Sequence, residues 1–361
     1  MLRPTRRDRF LGCLLGGAAG DALGAPVEFM RREQIVARYG PRGITTYAPA
    51  YGMTGAITDD TQMTLFTAEG LLRAWVRQEG RGLCHAPSVV SHAYLRWLKT
   101  QGETPATSEL GEDGWLFAQQ ELHARRAPGR TCIHALTLME AFGDLAQNDS
   151  KGCGGVMRMA PLGLFGVRAG HTAAETFQMG CEMAASTHGH PTGQLTAGVL
   201  AVVIAEICGG ATLAAALDTA TAILVTSPSH TETLDSLDAA RALAVSAKPH
   251  DAAIAQLGEG WIAEEALAIA VYCALVAECF EDGVIMAVNH GGDSDSTGAI
   301  AGNLLGALLG VATIPPAWID ALELRDVIAR IAIDLDEFPD WRVGEYDGAP
   351  DAVILQRYPG W

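Results

Sequence analysis

Thr58-Asp59-Asp60-Thr61-Gln62-Met63-Thr64-Leu65-Phe66-Thr67-Ala68-Glu69-Gly70-Leu71-Leu72-Arg73-Ala74-Trp75 opens on a helix signal and continues with helical periodicity. Thr58 is a good N-cap, because its hydroxyl can accept a hydrogen bond from an otherwise unpaired N–H of the first turn. Beyond it, Leu65, Ala68, Leu72 and Trp75 recur at spacings of three and four and so share one face. Asp59 and Asp60 then fall in the first turn of that helix. Working outward, similar patterns predict helices over 87–99, 131–142, 172–186, 192–208, 230–247, 263–280, 296–311 and 316–334. Alternating strand patterns with hairpin turns are nearly absent, so the expected class is all-α.

Many of these helices carry Gly and Ala on their apolar sides, as in Ala197-Gly198-Val199-Leu200-Ala201 and Ala299-Ile300-Ala301-Gly302-Asn303-Leu304-Leu305-Gly306-Ala307. Small residues let helix axes approach closely, which predicts a compact bundle. No fixed-period repeat and no Ser- or Pro-rich linker divides the chain, so one domain is expected over 1–361. The stretch 39–56, with Gly40, Pro41, Gly43, Pro49, Gly52 and Gly55, is not helical in pattern. It is either a mobile flap beside the Thr58 cluster or an ordinary surface connection.

The 361 residues include 49% hydrophobic ones, ample for a sizeable core. With 25 basic against 42 acidic residues the net charge is −17, which argues against non-specific binding to nucleic acid or to an anionic membrane surface. Eight cysteines show no C-x-x-C pair, so they read as small core residues of a reducing, cytoplasmic compartment rather than as a zinc site. Arg3, Arg6, Arg7 and Arg9 followed by the apolar run 10–19 copy a secretory signal. Asp21, Glu28 and the Gly/Ala spacing equally suit a tightly packed first helix, which is the reading adopted. No apolar run makes a convincing membrane span.

The chemistry gathers in two acidic clusters. Thr58-Asp59-Asp60-Thr61 is one, and Gly291-Gly292-Asp293-Ser294-Asp295-Ser296-Thr297-Gly298 is the other. Each alone could simply complement a helix macrodipole. Together, four carboxylates flanked by hydroxyls are the hard oxygen donors that Mg²⁺ and Mn²⁺ prefer. Asn148-Asp149-Ser150-Lys151-Gly152-Cys153-Gly154-Gly155-Val156-Met157-Arg158 is either a plain turn or a backbone N–H nest able to cradle a diphosphate. His188, in Ser186-Thr187-His188-Gly189-His190-Pro191, stands at a helix boundary, where histidine commonly partners the dipole.

Taken in order, these segments resemble the ADP-ribosylglycohydrolase family. The likeness begins at Gly12-Cys13-Leu14-Leu15-Gly16-Gly17-Ala18-Ala19-Gly20-Asp21-Ala22-Leu23-Gly24. It continues through the Thr58 cluster, residues 150–161 and Thr187-His188, and closes at 292–298. The resemblance implies an all-α orthogonal bundle with a binuclear Mg²⁺ or Mn²⁺ centre. Thr58, Asp59, Asp60, Asp293, Asp295 and Ser296 would be its ligands. Ser150, Lys151, Gly152, Gly154, Gly155, His188 and Gly292 would line the ADP-ribose site. It further implies hydrolysis at C1″ of the distal ribose, releasing ADP-ribose from a modified protein or small molecule, with arginine the expected linkage. Asp59 and Asp60 are the catalytic candidates, together with Glu28, which stands where some relatives have a mobile acid. Cys153 departs from relatives with Asn, which puts that side-chain contact in question. The alternative within the family is a non-catalytic binding or crystallin-like member.

Three rivals fit less well. Asp293-x-Asp295-x-Thr297 matches a haloacid-dehalogenase nucleophile motif, but that motif normally follows a buried strand. The same stretch imitates an EF-hand opening, but Leu304 stands at the twelfth position where a bidentate Glu is needed. A terpene synthase would want an acid at Met63 and a richer aromatic cavity than 6% aromatic content supplies.

Overall fold

Two helices from opposite ends of the sequence, Arg6–Gly24 and Ser294–Leu309, lie backbone against backbone in the middle of the molecule. Gly12, Gly16 and Gly20 recur every fourth residue on one, and Gly306, Gly302 and Gly298 on the other. A Cβ on any of the first three would run into the carbonyl oxygen of its partner on the second helix. The pairing is antiparallel and admits no side chain, so its register is fixed by shape. Asn303 locks it by donating from Nδ2 to the Cys13 carbonyl at 2.8 Å. The consequence for function is positional: the end of the first helix, at Asp21, meets the beginning of the other, at Asp295.

The computed structural model describes residues 3–107, 111–344 and 347–360. These form seventeen α-helices, and the strands among them are Pro49–Ala50 and Met53–Thr54, paired antiparallel. The class is therefore all-α, as the periodicity predicts. Arg325–Glu337 packs on the first helix, while Ala263–Val276 and Phe280–Val288 pack on Ser294–Leu309. Asp59–Arg81 leans on Ala86–Thr100. Between these layers Phe10, Phe66, Trp97, Phe280 and Phe338 are wholly buried, and each removes apolar surface worth about 1.5–3 kcal/mol from water.

Three of the four arginines that copy a signal sequence are used within the fold. Arg9 donates to the carbonyls of Ala307 and Leu308 at 2.8 and 3.1 Å, satisfying the last turn of the paired helix. Arg6 and Arg7 pair with Asp336, and Arg7 also with Glu337. Pro191–Cys208 has the length and hydropathy of a span, yet 78% of it is buried in the fold, as for a core helix. All eight cysteines are free thiols.

Several boundaries differ from expectation. The 131–142 helix stops at Leu138, and 263–280 breaks after Val276, restarting as Phe280–Val288 behind the Cys279 cap. The 316–334 helix is two, Pro316–Ala321 and Arg325–Glu337, because Leu324 adopts a left-handed φ of 53°. Arg32–Tyr39, Ala160–Ala169, Leu213–Leu224, His250–Leu257 and Ala352–Arg357 are additional helices. The 39–56 stretch contains the small hairpin, turning at Tyr51 and Gly52 with positive φ. Its end is pinned where Glu323 N–H donates to the Gly55 carbonyl at 3.0 Å, and no residue of the stretch lines the cavity that Asp59 and Asp60 face.

Candidate active site

Asp21, which sequence reasoning quotes but assigns no role, is the hinge of the site. Fully buried at the end of the first helix, its carboxylate accepts from the N–H groups of Thr58 (3.1 and 3.0 Å) and Thr61 (3.1 Å). The Thr61 hydroxyl also donates to it, at 2.5 Å. It thus anchors the first turn of Asp59–Arg81 against the glycine-paired helices. Thr58 caps that turn, accepting from the Asp60 N–H at 3.3 Å, and its hydroxyl also donates to Asp60 Oδ2 at 3.4 Å. Asp293 caps Ser294–Leu309 in the same manner, with Oδ1 accepting from the Ser296 N–H at 3.3 Å. Both clusters thus sit at helix N-termini, as the macrodipole reading implies, and the two caps aim two acidic turns at one place.

That place is a cavity of about 560 Å³ whose lining includes Glu28, Asp59, Asp60, Asp293, Asp295 and Ser296. All five carboxylates are buried. Burial pushes the carboxyls of Asp59, Asp60 and Asp293 well above the usual range and raises Asp295, and repulsion from neighbouring acids adds to the shift in Asp59, Asp60 and Asp293. Burial, then Asp295, Asp293, Asp59 and Asp21, raise Glu28 to about 11. Burial, opposed by its hydrogen bonds to Thr61 and Thr58, leaves Asp21 at about 7. Asp60 Oδ1 and Glu28 Oε2 are buried with no hydrogen-bond partner.

These observations bear on whether a metal fits. Among the described residues no three His, Cys, Asp or Glu side chains already close on one point as a finished cage. The donor set nevertheless suits a hard divalent cation: oxygen atoms only, clustered, desolvated, and acted on by one another rather than by a counter-charge.

The glycine loop forms the neighbouring wall. Gly152, Cys153 and Gly154 line the cavity together with Met157, His188 and Trp261. Cys153 donates from its thiol to Asp293 Oδ2 at 2.9 Å and accepts from the Ser296 hydroxyl at 3.5 Å. Burial holds that thiol protonated, so it serves as a neutral donor, the part an amide at this position could also play. His188 is kept neutral, lowered to about 3 by burial and by Arg158.

Other expected contacts are placed elsewhere. Lys151 does not face the cavity, because its ammonium is engaged by Glu264 at 2.5 Å and Glu232 at 3.0 Å. Gly155 packs against the Gly193 carbonyl, and Gly292 against the backbone of Glu259. Thr58 stands behind Asp60 rather than on the lining. Ser150 lines an adjoining cavity, with its hydroxyl 3.0 Å from that of Thr131. The two cavities share Arg125, Pro128, Arg130 and Thr131. Gly129 N–H, in this segment, donates to Asp59 Oδ2 at 3.1 Å. No sequence signal marks 125–131, because its importance comes only from where the bundle puts it.

Comparison with known proteins gives the family. The family model for ADP-ribosylglycohydrolase matches residues 2–343. The chain is 28% identical to the ADP-ribosyl-[dinitrogen reductase] glycohydrolase of Rhodospirillum rubrum, over 90% of this chain and 94% of that protein. It is 25% identical to the ADP-ribosylarginine hydrolase Tri1 of Serratia proteamaculans, over 91% and 79% respectively. A solved structure described as an ADP-ribosylglycohydrolase-related protein complex superimposes with a TM-score of 0.64 at 29% identity, covering 92% of this chain and 98% of that one. With the match running through both acidic turns and the glycine loop, the chain belongs to the ADP-ribosylglycohydrolase family.

Proposed function

We propose that this protein hydrolyses the bond between ADP-ribose and a modified side chain, arginine in the first instance, with two Mg²⁺ or Mn²⁺ ions as cofactors. The observation that carries the reading is the set of buried carboxylates, Asp59, Asp60, Asp293 and Asp295 with Glu28, facing one cavity without cationic partners. Asp59, Asp60, Asp293, Asp295 and Ser296, which line the cavity, would hold the ions, with Thr58 orienting Asp60 from behind. Bound there, the ions would supply Lewis acidity that lowers the pKa of water and favours binding of the distal ribose hydroxyls.

The chain's own groups do the rest. Asp60 Oδ1 and Glu28 Oε2 are buried carboxyl oxygens of this cavity with no hydrogen-bond partner, and either, ionised by the field of bound cations, would accept the proton of the water that attacks C1″. A bond from the water oxygen to C1″ forms, the C1″–N bond breaks, and the proton passes to the departing nitrogen. The acidic wall offsets positive charge developing on the ribose in the transition state. Cys153 orients Asp293 through its 2.9 Å hydrogen bond. The diphosphate is met by the N–H of Gly154, the hydroxyls of Ser150 and Thr131, and the guanidinium of Arg130 rather than by Lys151, while the Gly152 N–H donates to the Ser150 hydroxyl at 3.3 Å and holds it in place.

The test is a panel of arginine-, serine- and small-molecule-linked ADP-ribose substrates, each assayed with Mg²⁺, with Mn²⁺ and with EDTA. Release of ADP-ribose that EDTA abolishes is the expected result. Turnover indifferent to EDTA, or binding of ADP-ribose without any turnover, overturns the proposal.

A further inference from the structure

Two large aromatic rings stand uncovered at the acidic cavity. Phe29 is 72% exposed and Trp261 38% exposed, and they stack on each other with centroids 5.9 Å apart and planes 17° from parallel. Both line the cavity, with Phe29 next in sequence to Glu28. Neither position is an accident of a loose loop. The Trp261 carbonyl accepts from Cys153 N–H at 3.3 Å, and Ala263 N–H donates to the Lys151 carbonyl at 2.8 Å, tying that segment to the glycine loop. On the other side, Met30 N–H donates to the carbonyl of the fully buried Val27 at 2.9 Å, closing the turn that carries Phe29.

We infer that the Phe29–Trp261 pair is the platform for the leaving group and selects a guanidinium, which deepens the proposed function and rests on it. The cleft is divided by charge. Arg125 and Arg130 line both cavities and so mark the run of the nucleotide and its diphosphate, whereas the carboxylates and the aromatic pair line only the first. What lies beyond C1″ therefore meets π faces beside Glu28. A planar, delocalised, weakly hydrated cation satisfies both neighbours at once, stacking on the rings while the carboxylates offset its charge. An uncharged serine O-glycoside of ADP-ribose gains neither interaction.

The experiment compares wild type with Trp261→Ala, Phe29→Ala and the conservative Trp261→Phe, on arginine-linked and serine-linked substrates, alongside ADP-ribose as a competitive product inhibitor. Each Ala variant is expected to lose about tenfold in kcat/KM on the arginine substrate. Its inhibition by ADP-ribose, which lacks the leaving group, should be unaltered, and Trp261→Phe should recover most of the loss. Arginine methyl ester should inhibit wild type more strongly than either Ala variant. Equal weakening of ADP-ribose inhibition would put adenine on the rings and overturn the inference while leaving the proposed hydrolysis intact, as would equal losses on both linkages. Wild type that releases no ADP-ribose from any substrate would remove the proposed function itself, and this inference with it.

Discussion

The molecule buries acids in two ways. Glu69 is wholly enclosed, but its oxygens meet Arg73 at 3.1 Å and Arg96 at 2.9 Å. Asp334 is equally enclosed, and it accepts from Arg330 at 2.5 Å, Arg357 at 2.8 Å and the Tyr358 hydroxyl at 2.6 Å. Around the cavity, Asp59, Asp60, Asp293, Asp295 and Glu28 are buried too, yet the charges acting on Asp59, Asp60, Asp293 and Glu28 are those of neighbouring acids. Isolated buried charge is costly unless paired. Acids that are paired serve the fold, and acids that are left repelling one another serve a ligand.

The largest effect that can break this contrast is kinetic. Asp60→Asn should lower ADP-ribose release by about a thousandfold, about 4 kcal/mol, without lowering the melting temperature measured in EDTA, since it removes a repelled charge. A variant that stays active, or that unfolds, erases the distinction. Glu69→Gln should behave oppositely. Urea unfolding should show a loss of about 3–5 kcal/mol as Arg73 and Arg96 lose their buried partner, with metal affinity retained. Adding Mn²⁺ at about a hundred times its Kd should stabilise wild type and Glu69→Gln by about 2.7 kcal/mol and Asp60→Asn by far less, as read by calorimetry.

Two smaller effects sharpen the picture. Gly302→Ala should cost about 1–3 kcal/mol in unfolding free energy, because the new Cβ meets the Gly16 carbonyl, and it should weaken metal binding by displacing Asp295 from Asp21. His188 is depressed to about 3 by burial and Arg158, so the unfolded chain takes up a proton first as pH falls. Its contribution to stability is whole above about 6.5 and is lost as pH drops toward 3. His188→Asn should flatten the stability profile over that window by at most about 1.4 kcal/mol per pH unit, measured by denaturation at successive pH values.

Much of the fold was legible because helix signals are local. Thr58 as a cap and the spacing of Leu65, Ala68 and Leu72 need no knowledge of partners, and the structure places each as that pattern implies. Boundaries failed where the deciding fact was a single dihedral, as at Leu324. The acidic turns were legible as clusters, and the structure does bring them to one cavity. Lys151 misled, because Glu232 and Glu264, which hold its ammonium, are distant in sequence. Asp21, Arg130, Phe29 and Trp261 were silent for the same reason: each acquires meaning only from a neighbour that the bundle supplies.

The glycine pairing of the first helix with Ser294–Leu309 bears on how the protein is made. During synthesis the first acidic turn emerges from the ribosome more than two hundred residues before the second. Until Gly298, Gly302 and Gly306 arrive, Asp21 and Asp59 have no partner helix, and the intervening bundle must hold its own shape around an open seam. A nascent or clipped chain lacking that last stretch therefore has half of the carboxylate set and nothing to close the cavity around it, so the site is whole only when the two ends of the polypeptide have met.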